Sequence, residues 1–139
     1  MGNCHNTIEV NASVNEVWDK IINFHDLSWA PNVIEKVETV GDKSGNEIGA
    51  KRVLNDAFHE TLLSVDASNH TFTYAIENGP GPLESNAVDS YVGKVVLKPS
   101  GNGTEVVWTY EYQSQDDNGI AELCNPVYQA LLSDLAKQF

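Results

Sequence analysis

The chain has 139 residues, of which 41% are hydrophobic, and its 20 acidic and 8 basic side chains give a formal net charge of −12. This apolar content is enough for one hydrophobic core and argues against a disordered chain. The negative charge argues against binding to nucleic acid or to anionic lipid headgroups, because both are bound mainly through Lys and Arg side chains. We therefore expect one domain over residues 1–139, with neither nucleic acid nor a membrane as its partner.

No segment has the composition of a secretion signal or of a membrane span. Every apolar run is shorter than the roughly 18 residues that a transmembrane helix needs, and no hydrophobic region of the signal-peptide kind is present near the start. We therefore expect a cytoplasmic protein that is a monomer or a dimer. In that compartment Cys4 and Cys124 are expected to be free thiols.

The first part of the chain predicts one strand followed by two short helices. Residues 5–11 alternate polar and apolar side chains, as a strand does. Ser13 and Glu16 have the spacing of a capping box, which marks a helix start. The apolar residues that follow recur at helical spacing and are Val14, Val17, Trp18, Ile21 and Ile22. Residues 25–29 are predicted to form a second short helix that ends before Pro31.

A two-residue periodicity then predicts six antiparallel strands joined by short turns. The strands are expected at residues 33–41, 47–55, 58–66, 70–77, 86–98 and 104–113. The segments between them are rich in Gly, Pro, Asn and Asp, which favour tight turns. Together with the first strand, this order predicts a seven-stranded antiparallel sheet.

A long helix is predicted over residues 117–139, where Ile120, Leu131 and Leu135 keep a helical period. Pro126 falls inside it, so the helix either kinks there or begins again with Asn125 as its N-cap. We therefore expect an α+β fold in which a curved sheet wraps around this helix. Such a sheet rarely closes completely, and the gap becomes a pocket.

Mainly aromatic side chains are predicted to line that pocket, because strand alternation assigns them to the face that meets the helix. The tyrosines and tryptophans among them add hydroxyl and indole groups to an otherwise apolar surface. Trp29 lies either at the pocket rim or in the core. The candidate ligand-binding residues are Trp29, Leu54, Phe58, Leu62, Phe72, Tyr74, Tyr91, Trp108, Tyr110, Tyr128 and Leu132.

Two opposite charges, Arg52 and Glu60, occur among the apolar residues of neighbouring strands. They either pair across the outer surface, where the pair stabilises by less than about 1 kcal/mol, or face the pocket. Desolvation would raise the pKa of a buried carboxyl, and a nearby guanidinium offsets this cost, usually without net stabilisation. If the pair is internal, ligand handling is therefore the better explanation for it.

No metal or cofactor is expected. The four histidines are scattered, and "HETLL" at residue 59 lacks the second His of a zinc-binding helix. No glycine-rich phosphate loop precedes a helix.

The sequence resembles the polyketide cyclase/dehydrase-like branch of the START and birch-pollen-allergen superfamily. The resemblance spans almost the whole chain and rests on "VWDKIINFHDLSWAPNVIEKVE", "GAKRVL", "ETLLSVDASNHTFTYAI", "GPLE", "YVGKVVLKPSGNGTEVVWTYEY" and the closing helix. It implies the helix-grip fold and a cavity for a small, largely apolar molecule, such as a polyketide, a hormone, a sterol or another lipid. Relatives similar to lachrymatory-factor synthase use a pocket Arg and Glu for proton transfer, which implies that role for Arg52 and Glu60.

Three functions remain open at this point. The first is a carrier or sensor that binds a small hydrophobic molecule. The second is a cyclase, dehydratase or isomerase in which Glu60 is the general acid/base and Arg52 stabilises an enolate or orients a carbonyl. The third is a module that binds another protein.

Overall fold

A seven-stranded antiparallel sheet and a long C-terminal helix dominate the structure, a computed structural model that describes residues 2–139. The elements in chain order are β1 (Gly2–Val10), α1 (Val14–Ile21), β2 (Val37–Val40), β3 (Lys51–Leu54), β4 (Phe58–Asp66), β5 (Thr71–Asn78), β6 (Val88–Ser100), β7 (Gly103–Ser114) and α2 (Asp117–Ala136). Single 3-10 turns precede β5 and β6. The strands lie in the order β1-β7-β6-β5-β4-β3-β2, which leaves β1 and β2 at the edges.

The hydrophobic core lies between the concave face of the sheet and α2. Alternate residues of β7, from Val106 to Tyr112, are buried, and so are residues of α2 that include Ile120, Leu131 and Leu135. The curved sheet around a long helix confirms the predicted α+β helix-grip fold. The period-two pattern was therefore a correct guide to which strand faces meet the helix.

The first helix begins as the capping pattern predicts. The backbone N–H of Glu16 donates to Ser13 Oγ at 3.2 Å, and the Ser13 hydroxyl donates to Glu16 Oε1 at 3.0 Å. The helix then buries Val17, Trp18 and Ile21 along one face.

The second short helix predicted at residues 25–29 is wrong, because this segment forms turns. Asn23 Oδ1 accepts from the N–H of His25 at 3.0 Å, and Asp26 Oδ1 accepts from the N–H of Ser28 at 2.9 Å. These side chains take the place of the backbone carbonyls that a helix would use.

Strands β2 and β3 are shorter than predicted, because side chains and turns satisfy the neighbouring backbone. Asn55 Oδ1 accepts from the N–H groups of Glu35 at 2.8 Å and Lys36 at 3.1 Å, and Asn55 Nδ2 donates to the carbonyl of Val33 at 2.9 Å. Residues 33–36 therefore need no strand partner for these groups. Asn55 itself has a left-handed backbone, with φ of 54°, which Asn tolerates better than most residues.

The last helix runs through Pro126 without starting again. Its N-cap is Asp116, whose Oδ1 accepts from the N–H of Gly119 at 2.9 Å. Asn125 is not a cap, and its Oδ1 instead accepts from the hydroxyl of Tyr110 at 2.5 Å. Neither α2 nor any other helix within residues 2–139 is long and apolar enough to span a membrane.

Gly93 supports the central aromatic packing, because a Cβ there would lie 2.3 Å from Cζ of Tyr74, its partner on β5. We expect Gly93→Ala to displace this ring and to lower the free energy of unfolding by about 1–3 kcal/mol. Urea unfolding measures the effect. The exposed neighbour Lys94 provides the control, since Lys94→Ala should change stability by less than about 0.5 kcal/mol. Equal stability of Gly93→Ala and the parent would show that the Tyr74 ring is free to move.

Candidate functional site

A cavity of about 100 Å³ lies between the sheet and α2, toward the end of the sheet formed by β3 and β4. Its walls come from the irregular segment after α1, from β3, β4, β5 and β7, and from α2. The lining is mainly apolar and consists of Leu27, Val33, Ile34, Arg52, Leu54, Asn55, Phe58, Glu60, Tyr74, Ile76, Trp108, Cys124, Val127, Tyr128 and Leu131.

The candidate residues divide between this cavity and the surrounding core. Those that line the cavity are Arg52, Leu54, Phe58, Glu60, Tyr74, Trp108 and Tyr128. Those that lie outside its lining are Trp29, Leu62, Phe72, Tyr91, Tyr110 and Leu132, all of them buried in the core. Strand parity predicts the face on which a side chain lies, but not whether neighbouring side chains cover it.

Sequence reasoning missed more than half of the lining. Ile76 shares a strand face with Tyr74, and Cys124, Val127 and Leu131 belong to the apolar stripe of α2, so a signal existed for these four. The remaining missed residues are Leu27, Val33, Ile34 and Asn55. They lie in irregular segments where no periodicity indicates which way a side chain points.

The two charged candidates form a buried ion pair, because β3 and β4 pair Arg52 directly opposite Glu60. Each side chain is only 6% exposed. Arg52 Nε and Nη2 both contact the same carboxylate oxygen, Glu60 Oε1, at 2.8 and 2.6 Å. Arg52 Nη1 donates to the carbonyl of Phe24 at 2.9 Å, and the guanidinium carbon lies 3.7 Å from the centre of the Phe24 ring. The pair is therefore rigidly held, and it lies inside rather than on the outer surface.

The second carboxylate oxygen of Glu60 has no hydrogen-bond partner within residues 2–139. No hydrogen bond from residues 2–139 reaches Oε2, and none of the fully buried side-chain oxygens in this range lacks a partner, so Oε2 must touch open space. Burial raises the pKa of Glu60, because desolvation disfavours the carboxylate, and Arg52 offsets part of this rise. Glu60 lines both this cavity and a second pocket that includes Lys51, His59 and Glu77, and one of its carboxyl oxygens forms no hydrogen bond within residues 2–139.

A second polar group in the cavity is a cluster of hydroxyls. The Tyr128 hydroxyl lies 2.6 Å from those of both Tyr74 and Tyr91, and the Trp108 indole N–H donates to the Tyr74 oxygen at 2.9 Å. Burial raises the pKa of Tyr74, Tyr91 and Tyr128 well above the usual value, so all three are neutral hydroxyls near neutral pH. They can donate or accept a hydrogen bond but cannot readily act as anions.

Two polar side chains attach the irregular wall of the cavity to regular structure. Asp134 on α2 accepts from the backbone N–H and the side-chain amide of Asn32, both at 2.9 Å. On the other side Asn55 binds the backbone of residues 33–36. The wall that contains Val33 and Ile34 is therefore held between α2 and the β3–β4 turn.

Within residues 2–139 the structure gives little support for a cysteine nucleophile or a metal site. Cys124 lines the cavity, but burial raises the pKa of its thiol to about 11, so it is a poor nucleophile near neutral pH. No three His, Cys, Asp or Glu side chains in this part of the chain are grouped to hold a metal ion.

Solved structures from several organisms share this fold. A protein from Nitrosospira multiformis is 38% identical with a TM-score of 0.93, and the match covers 99% of this chain and 96% of that chain. Norcoclaurine synthase from Thalictrum flavum is 20% identical with a TM-score of 0.75 and coverage of 99% and 85%. Ginseng major latex-like protein 151 from Panax ginseng is 13% identical with a TM-score of 0.78 and coverage of 99% and 96%. The last two show likeness of fold alone.

The family itself is indicated by sequence. Among curated proteins no sequence matches the chain. The sequence model of a family described as polyketide cyclase / dehydrase and lipid transport, however, matches residues 1–139. Because that match extends along the whole sequence, the chain belongs to the polyketide cyclase / dehydrase and lipid transport family.

Proposed function

We propose that this protein binds a small, mainly apolar molecule in the cavity between the sheet and α2. The family and the fold support a hydrophobic ligand-binding role. The observation that carries the proposal is the buried Arg52–Glu60 pair beside an apolar cavity. Replacing a buried ion pair by apolar residues is often neutral or stabilising, so the need for stability explains the pair poorly.

The volume of the cavity limits the size of the molecule that it can hold. Pockets for drug-sized ligands measure about 300–1,000 Å³, whereas this one measures about 100 Å³. An apolar cavity of about 150 Å³ holds benzene. A molecule near the size of one ring therefore fits with little adjustment, while a long-chain lipid requires the wall around Val33 and Ile34 to move.

An enzymatic role is the second candidate, and the free oxygen of Glu60 is the observation that favours it. A carboxyl group whose pKa is raised by burial is better suited to taking up and returning a proton than an ordinary surface carboxyl. Glu60 would act as general acid/base in an isomerase or lyase reaction of the cyclase or dehydratase type, and Arg52 would hold it in position.

Native mass spectrometry of gently purified protein tests the binding proposal. We expect a small apolar molecule to remain bound and its occupancy to fall several-fold in Glu60→Gln, which removes the charge but keeps the shape. Glu77→Gln, which changes an exposed glutamate on β5, is the matched control and should retain it. If the bound molecule is chemically changed by the parent but not by Glu60→Gln, the enzymatic role is supported. Equal occupancy in Glu60→Gln and the parent would contradict a role for the pair.

The pH dependence of stability tests the charge state of Glu60. Since its folded pKa is raised above the ordinary 4.5, its stabilising contribution is present below that value and is lost as the pH rises through the folded pKa. The free energy of unfolding of the parent, relative to Glu60→Gln, should therefore fall as the pH rises above 4.5. Urea unfolding at several pH values measures this difference.

Glu77 supplies an opposite control for the same measurement. A hydrogen bond from Thr61, with a further contribution from Lys51, lowers the pKa of Glu77, so its contribution is present above the ordinary value of 4.5 and is lost on acidification. The free energy of unfolding of the parent minus that of Glu77→Gln should therefore rise as the pH rises through the acidic range. If the free energy of unfolding of the parent relative to Glu60→Gln rises with pH instead of falling, Arg52 lowers the pKa of Glu60 by more than burial raises it.

A further inference from the structure

The hydroxyl cluster of Tyr74, Tyr91 and Tyr128 has one hydroxyl proton more than the hydrogen bonds between its members require. The cluster has three hydroxyl protons but only two oxygen–oxygen contacts, each of which uses one proton. The Trp108 indole N–H can only donate, so it adds a donor and supplies no acceptor. One hydroxyl proton therefore has no oxygen acceptor within the cluster, and beside Tyr91 the further acceptor is the weakly accepting thiol of Cys124.

That surplus proton can reside on any of the three hydroxyls. If Tyr74 donates to Tyr128 and Tyr128 to Tyr91, the surplus lies on Tyr91, which is outside the cavity lining. If Tyr91 instead donates to Tyr128, the surplus lies on Tyr128, or on Tyr74 when Tyr128 also donates to Tyr74, and both of these residues line the cavity. A bound carbonyl would select one of these latter arrangements, because its oxygen is a stronger acceptor than the Cys124 thiol beside Tyr91.

Arg52 is a weaker candidate for this role. Its Nε donates to Glu60 Oε1 and its Nη1 donates to the carbonyl of Phe24, while Nη2 lies 2.6 Å from Glu60 Oε1 within the ion pair. These contacts hold the guanidinium in place, although its Nη atoms carry further N–H groups. One face of the guanidinium is also covered by the Phe24 ring. Arg52 is thus a positioning residue for Glu60, whereas the tyrosine hydroxyls can reverse their hydrogen bonds when a ligand binds.

We propose that the surplus hydroxyl proton of the Tyr74–Tyr91–Tyr128 cluster makes the cavity selective for a ring-sized molecule that carries a carbonyl oxygen. This inference rests on the proposed binding function and names its ligand class. The carbonyl accepts from Tyr74 or Tyr128, while the ring contacts the apolar walls, which include Phe58 and Trp108. Oε2 of Glu60 is then left for a hydroxyl, an N–H or an acidic C–H elsewhere on the molecule.

Cyclohexanone and methylenecyclohexane provide a matched pair of probes, because they have nearly the same shape and differ in C=O against C=CH2. Their affinities are measured by NMR titration of the parent and of the double variant Tyr74→Phe/Tyr128→Phe. The ratio of cyclohexanone to methylenecyclohexane affinity should fall about tenfold or more in the double variant, since the buried carbonyl loses its donor. Retained binding of methylenecyclohexane shows that the variant still folds around the cavity.

Tyr91→Phe is the control variant. It leaves two hydroxyls with one contact between them, so the surplus proton must lie on Tyr74 or Tyr128, and the affinity ratio should stay the same or rise. If the double variant does not fold, the infrared carbonyl band of 13C-labelled cyclohexanone bound to the parent gives the same information. A band shifted to lower frequency than in an apolar solvent supports the donor, and an unshifted band overturns it.

The outcomes separate this inference from the proposed function. An affinity ratio that is equal in the parent and the double variant overturns the carbonyl preference but leaves a binding cavity. If neither cyclohexanone nor methylenecyclohexane binds the parent, while a larger apolar molecule co-purifies with it, the proposed ligand class is wrong and the proposed binding function stands. If neither ring binds and nothing co-purifies, both fail.

Discussion

The structure depends on how the space between a curved sheet and the long helix α2 is filled. Over β6 and β7 aromatic rings fill it, with ring centres 5.4 Å apart for Tyr91 and Tyr110, 4.7 Å for Tyr110 and Tyr128, and 5.0 Å for Trp108 and Tyr128. Toward β3 and β4 this aromatic layer ends, and the cavity occupies what remains. The same layer that stabilises the core thus sets the position and the small size of the cavity.

The polar groups of the cavity have contrasting environments. Arg52 and Glu60 carry charge into the interior, where the desolvation of both must be offset by their contact with each other and by the Phe24 carbonyl. The tyrosine cluster carries no charge, its hydroxyls bond to one another, and the Tyr74 oxygen also accepts from the Trp108 indole N–H. An apolar molecule would therefore meet a fixed carboxyl on β4 and hydroxyls that can donate or accept, from Tyr74 on β5 and Tyr128 on α2.

Most of the fold could be predicted because regular elements carry their own periodic signal. The capping pattern at Ser13 and the alternation along β7 both depend on contacts between residues close in sequence or on one strand face. The errors fall where a side chain binds the backbone instead. Asn23 and Asp26 replace a predicted helix with turns, and Asn55 holds residues 33–36 out of the sheet. Composition alone does not reveal which Asn or Asp will do this.

By itself, the sequence determined the strands, the two helices and the family resemblance. It also identified Arg52 and Glu60 as candidate site residues, because they are opposite charges among apolar strand residues. Each of these conclusions depends on local pattern or residue type. Only the tertiary structure decided that the pair lies inside, that Tyr91 and Tyr110 lie behind the cavity, and that Val33 and Ile34 form its wall. Those facts depend on strand register and on the placement of α2 against the sheet. Both are set by contacts between residues far apart in the chain, which periodicity does not encode.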